Sequence, residues 1–301
     1  MYISGIHRIL EKKEGNNMKI INQEMLTGER ALFQGHDLKI SYCTFADGES
    51  PLKEGHDVEI DNSLFKWKYP LWYTKNIKVL ESTFFETARS GIWYTDNIEI
   101  VKSTIEAPKA FRRSKNITLE KVTMPNASET FWNCHNITLN DVTAKGDYFA
   151  MNSSNIKIDG FNLTGNYVFD GCKNIEIRNA KMLSKDAFWN CENVTVYDSC
   201  IYGEYLGWNS KNLTFVNCTI ESLQGMCYID NLVMKNCRLI NTSQAFEYSS
   251  VDVQIDNVID SVMNPKGGTI RAYGIGEVIM DKSKVDPNET IIITEGKKHA
   301  I

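Results

Sequence analysis

The chain has 301 residues with 33 basic and 38 acidic side chains and a formal net charge of −5. It therefore lacks the basic surplus that neutralises phosphates, and a nucleic-acid partner is not expected. No stretch approaches the roughly 18 consecutive apolar residues of a membrane span, and the N-terminus has no unbroken apolar signal core; the expected compartment is the cytoplasm, with no membrane partner.

In chain order, residues 1–17 stand outside any pattern. Lys13-Glu14-Gly15 before Met18 reads like a translated ribosome-binding site, so this segment is expected to be a non-native extension and Met18 the natural start. From Asp37 onward one phrase returns: a small turn residue, then Asn or Asp, then apolar-polar-apolar. The Asn/Asp positions are 37, 57, 76, 97, 116, 136, 155, 174, 193, 212, 231 and 252, with a loose thirteenth copy at Glu277. Intervals of 19–21 residues up to Asp252 mark one unit stacked on itself.

With Asn/Asp as position zero, the next residues alternate as in Ile77-Lys78-Val79 and Ile156-Lys157-Ile158, the pattern of a half-buried strand. A second short strand follows six to eight residues past zero, as in Ser82-Thr83-Phe84 and Cys218-Thr219-Ile220, with a β-branched polar residue facing out. A third apolar column lies five residues before zero: Leu32, Leu52, Leu71, Ile92, Phe111, Phe131, Phe169, Phe188 and Met226. Helical spacing is absent. Parallel connections are overwhelmingly right-handed, so the expectation is an all-β, single-stranded right-handed parallel β-helix of about 13 rungs with three short strands each, roughly 60 Å long. It occupies residues 18–301 as one domain, with the lengthened interval Pro265 to Gly276 and the run Thr290–Ile293 closing its end.

Nine successive Asn, from Asn76 to Asn231, are expected to form an amide ladder, with loss of one buried partner costing about 1–3 kcal/mol. Cys134, Cys172 and Cys191 sit two before zero and Cys218 and Cys237 six after it, as small core fillers. With no C-x-x-C spacing and no clustered ligands, neither a metal nor another cofactor is expected. His36 and His56, in paired Gly-His-Asp phrases, read as column fillers.

The column four before zero is not explained by folding. It reads Phe33, Lys53, Trp72, Trp93, Arg112, Trp132, Met151, Asp170, Trp189, Trp208, Cys227 and Tyr248, and its neighbour adds Tyr73, Tyr94, Arg113, Asn133, Asn152, Asn190, Asn209 and Tyr228. Charged members of the file indicate that it faces out; a shift of strand phase by one would make some Trp core. Outward aromatics interrupted by amides suit stacking on sugar rings, and Trp72, Trp93, Arg113, Trp132, Asn133, Asn152, Trp189, Asn190 and Trp208 are the candidate substrate-binding residues. Acidic residues line the adjoining edge: Glu129, Asp147, Asp186 and Glu204, with Asp170 on the file itself. Glycoside hydrolysis needs two carboxylates at separations that one or two rungs can supply, making Asp147, Asp170 and Asp186 candidate catalytic groups. A lyase would instead draw on Arg112, Arg113 or Lys185 as base or charge clamp.

The phrase Phe131-Trp132-Asn133-Cys134-His135-Asn136, echoed at Phe188-Trp189-Asn190-Cys191-Glu192-Asn193, resembles the bacterial domain-of-unknown-function family 3737, within the pectin-lyase-like β-helix superfamily. The resemblance implies a fold and, since superfamily members include lyases and hydrolases of uronate polymers, carbohydrate as the first substrate class to test. It supplies no mechanism: the polygalacturonase-like blocks and the lyase calcium cluster are not present as sets. Two readings follow. The Trp-rich face binds a saccharide or glycosylated molecule, with or without cutting it; alternatively, a non-catalytic structural protein self-associates through that face as a homo-oligomer.

Overall fold

The computed structural model describes residues 18–296, so the expected extension 1–17 lies outside the described residues. The chain is a right-handed parallel β-helix of about 15 turns, close to the expected 13. The two additional turns are at the ends. Lys19–Asn22 pairs with Leu38–Ser41 before the first Asp phrase, and Thr290–Thr294 pairs with Gly268–Ala272 after the last.

The strand following position zero is present on every turn, in register with its neighbours: Ile77 opposite Ile98, then Ile117, Ile137, Ile156 and Ile175. Alternation decides its two faces, with these Ile buried and Lys78, Glu99 and Lys157 outside. In the middle turns this strand and the next merge into single 11-residue strands, such as His135–Lys145 and Ser154–Thr164. Inside, Phe45, Phe65 and Phe84 stack at 4.7 and 4.3 Å, each fully buried. Burying one such ring stabilises by about 1.5–3 kcal/mol.

The third column is buried as expected, but it forms strand only at Ile92–Trp93 and Phe111–Arg112. Elsewhere it is turn, because the chain alternates into the left-handed region: Phe131 at φ 55°, Phe169 at 66° and Phe188 at 59°. A left-handed Phe costs about 1–2 kcal/mol, which burial of its ring offsets.

Register also corrects the last two assignments of position zero. Val233, not Asn231, stands opposite Asp252; Asn231 is in line with Ser250, whose hydroxyl accepts its backbone N–H at 2.8 Å. Glu277 pairs with Ser261 and belongs to a different column. Along the Asn file, amide Nδ2 donates to the preceding Oδ1 at 2.8–3.0 Å from Asn116 through Asn231, while Asn116 itself turns to Asp96 at 2.8 Å. These amides lie on the surface, not inside, so loss of one carries no buried-partner penalty.

Candidate functional site

The Trp file faces outward, and each indole lies half-buried against the coil. The indole N–H of every Trp in the file donates to a backbone carbonyl of the following turn: Trp72 to Ser90, Trp93 to Lys109 (2.9 Å), Trp132 to Tyr148 (2.7 Å), Trp189 to Tyr205 (2.7 Å) and Trp208 to Gln224 (2.9 Å). The rings are thereby fixed flat in a stack that follows the coil axis. Trp72 and Trp93 stack at 5.4 Å, and the Arg112 guanidinium sits between Trp93 (4.7 Å) and Trp132 (4.6 Å). A second stack runs from Trp189 to Trp208 at 5.9 Å and on to Tyr228 at 5.1 Å. Tyr248 pairs with Tyr228 at 5.3 Å in the neighbouring column, not in the Trp file.

Most ring faces are thus already covered by the next turn. The break is between Trp132 and Trp189, where the file carries Met151 and Asp170, two turns without a ring. At the second of these turns the neighbouring column also loses its side chain: where other turns carry Asn133, Asn152, Asn190 and Asn209, this one has Gly171, at φ +70°. The Asn152 amide leans over the vacated place, its Oδ1 2.3 Å from where a Cβ of residue 171 would lie. The result is a ring-free notch in the file two turns long, formed by Met151 and then by Asp170 with Gly171; Trp132 and Trp189 stand on the turns at its two ends, and Asn152 and Asn190 lie in the neighbouring column. Asn190 Nδ2 donates to Asp170 Oδ1 at 2.8 Å, and Asn209 continues that chain at 2.7 Å. Among the described residues, the Asn133 and Asn152 amides make no side-chain hydrogen bond and remain available to a ligand.

The notch's other flank is the column seven before zero, whose members are Tyr148, Tyr167, Asp186 and Tyr205. Tyr148 and Tyr167 stack at 4.9 Å, and Tyr167 meets Trp189 edge-on at 6.2 Å. Asp186, expected on a solvated edge, is instead 2% exposed. Burial pushes its carboxyl above the ordinary 3.8, while neighbouring Lys185 and the Tyr167 hydroxyl pull the other way. Asp147 is exposed and its Oδ1 accepts the Asn166 backbone N–H at 2.8 Å. The three candidate acids therefore occupy three columns, eight, four and seven residues before zero, each with its own partners. Arg112 is not a free charge clamp either: it is clasped by two indoles and faces Glu129 at 3.6 Å. Arg113, exposed, reaches the Tyr94 hydroxyl at 3.5 Å, and Lys185 is bound to Glu204 at 3.1 Å. Tyr148, Tyr167 and Gly171 were not among the candidates drawn from the sequence; Gly171 is legible there as the one break in a column of amides.

Other features are accounted for by the coil. His36 and His56 stack at 5.1 Å, each with Nδ1 on its own following aspartate, and no group of three or more potential metal ligands occurs among the described residues. A trough of about 640 Å³ beside the Asn file is lined by Thr138, Lys157, Asn174 and Glu176, with no ring to stack on a ligand. A hollow of about 310 Å³ at the first turn is lined by Lys19, Arg30, Phe33 and His36.

A family model described as "Protein of unknown function (DUF3737)" matches residues 19–293. The chain belongs to this family. Its fold also resembles several solved β-helix structures. They include PfbA, a surface adhesin of Streptococcus pneumoniae (11% identity, TM-score 0.47, covering 79% of this chain and 84% of that one), and the A-module of the Azotobacter vinelandii mannuronan C-5 epimerase AlgE4 (9%, 0.28, 94% and 85%). A third is DFA-IIIase from Arthrobacter chlorophenolicus (10%, 0.33, 88% and 72%). No curated protein matches the sequence.

Proposed function

We propose that this DUF3737 protein binds a saccharide, or the glycan of a glycosylated molecule, in the notch between Trp132 and Trp189. The observation that carries this reading is the coincidence of three features at one turn. The stack of rings is interrupted at Met151 and Asp170, the flanking amide column lacks its side chain at Gly171, where the Asn152 amide leans in, and the Asn133 and Asn152 amides beside the interruption make no side-chain hydrogen bond among the described residues. Sugar recognition requires an apolar ring face together with polar groups at its rim, and the interruption exposes both. Three turns separate the two indoles, about 14 Å at the strand spacing, so the opening takes a short oligosaccharide segment rather than a long chain lying across the coil.

Binding, not bond cleavage, is the activity this geometry supports best, since Asp147, Asp170 and Asp186 point from separate columns and Arg112 is held between rings. The experiment is a titration of intrinsic Trp fluorescence with neutral, amino and uronate oligosaccharides, comparing the native chain with Trp132→Ala/Trp189→Ala. Saturable quenching that the double variant loses supports the reading. Absence of any response, with the native chain self-associating in proportion to concentration and the variant monomeric, supports an interface instead.

A further inference from the structure

Two cysteines stand opposite one another inside the coil, away from the Trp file. Val216 pairs with Lys235 and Thr219 with Arg238, so Cys218 and Cys237 hold the same place on successive turns, one strand spacing of about 4.8 Å apart. That spacing falls within the Cα separation a disulfide bridges. Both side chains are buried, and their sulfurs make only long contacts to carbonyls: Cys218 to Val196 and Val216 at 3.5 and 3.3 Å, Cys237 to Phe215 and Lys235 at 3.4 Å each. The Cys218 thiol donates to the Cys237 sulfur, which holds the first thiol above its ordinary pKa and the second below it. Cys172 and Cys191, also on successive turns, differ: Cys191 donates to the Phe169 carbonyl at 2.9 Å, and burial pushes both thiols up.

The coil is irregular just beyond Cys237. Register against the next turn slips between Met234 and Cys237, and the Asn257 amide accepts the Leu239 N–H at 2.9 Å and donates to the Leu239 carbonyl at 2.6 Å. The Asn236 to Asn217 amide bond beside it stretches to 3.3 Å. Local opening begins where regular ladder bonds are lost, and here it gives a small oxidant a way to the pair. We infer that Cys218 and Cys237 are a redox-reactive pair, oxidised by a hydroperoxide to an intrachain disulfide that staples their two turns. The Cys237 thiolate attacks a peroxide oxygen, the O–O bond breaks, and the leaving hydroxide takes up the proton that Cys237 released. The Cys218 sulfur then displaces the hydroxyl of the resulting sulfenic acid, and its own proton leaves with that hydroxyl as water. With hydrogen peroxide the sum is two thiols and one peroxide giving one disulfide and two waters. The inference is independent of the saccharide reading.

The test treats the full chain with hydrogen peroxide, blocks the remaining thiols with N-ethylmaleimide in denaturant and maps unreduced peptides by mass spectrometry, with half-exposed Cys200 as the measure of oxidant exposure. The expected result is a cross-linked peptide joining Cys218 to Cys237, with a thermal midpoint that rises on oxidation and returns on reduction. Cys218→Ser tests the order of steps, since Ser63, Ser82, Ser103 and Ser199 fill this column on other turns and the fold accepts the change. In that variant the cross-link is lost and dimedone captures Cys237 as its sulfenic acid. Oxidation of Cys200 with Cys218 and Cys237 still reduced, or a bond between Cys172 and Cys191 in their place, overturns the assignment.

Discussion

Arg112 offers a sharp test of what holds the outer file together. Its guanidinium lies 4.7 Å from the Trp93 ring centre and 4.6 Å from that of Trp132, with a side chain 21% exposed. At that exposure each ring contact contributes about 1 kcal/mol, so the pair contributes about 2. The Glu129 carboxylate, at 3.6 Å, is too long for a hydrogen bond and adds about 0.5 kcal/mol. Against these stand Nε and Nη2, buried without hydrogen-bond partners, at about 1–3 kcal/mol. The charge terms nearly cancel, and what remains is the filling of the space between two indoles. Arg112→Met, which fills that space with a flexible thioether, is therefore expected to shift stability by less than about 1 kcal/mol. Arg112→Ala, which leaves a void, costs about 2–3 kcal/mol. Urea melts followed by far-ultraviolet circular dichroism read both as midpoint shifts. A Met variant as destabilised as the Ala variant refutes the reasoning and shows that charge–ring attraction dominates.

Three further outcomes are expected. Burial pushes the thiols of Cys134, Cys172 and Cys227 up to about 12 and that of Cys191 well above its ordinary value, so in the native state a thiol reagent at about pH 8 should label half-exposed Cys200 rapidly and these four only after denaturation. Because the folded state holds the Asp186 proton above the ordinary 3.8, that residue's contribution to stability falls as pH rises through the interval between the unfolded and folded values and stays low above it. Asp186→Asn should thus gain on the native chain as pH climbs towards neutral and show no advantage in strong acid; thermal melts across pH with the opposite trend would contradict the burial argument. Asn155 sits at φ 57° and bonds to Asn136 and Asn174 at 3.0 Å each, all on the surface. Asn155→Ala should cost about 1–2 kcal/mol, mainly for the left-handed backbone, and Asn155→Gly less than that; equal losses in a melt would assign the effect to the amide bonds instead.

The strands after position zero were legible because the repeat aligns one apolar pair per turn, and burial of that pair fixes both register and face. The outward direction of the Trp file was legible for a related reason: Lys53, Arg112 and Asp170 share its column, and a charge without a partner is not tolerated inside. What escaped was set by contacts between turns. Phe131, Phe169 and Phe188 look like strand residues, and only the packed coil forces them into left-handed turns. The indole N–H groups find their carbonyls sixteen or eighteen residues ahead, which turns an open stacking surface into a closed one. Asp186 reads as a solvated acid, yet the coil buries it, with the Tyr167 hydroxyl of the preceding turn beside its carboxyl. The end turns broke the rule that found the others. Ser250 replaced Asn at position zero, and an Asp two residues later drew the assignment away.

The central claim is the location of the ligand, and a crystal structure of the chain grown with a saturating concentration of whichever oligosaccharide quenches its Trp fluorescence tests it most directly. The account requires a sugar ring in the opening above Asp170 and Gly171, between the indoles of Trp132 and Trp189. Density for the sugar on the covered stacks, along the Asn file or at the first-turn hollow, with the notch empty, would contradict it.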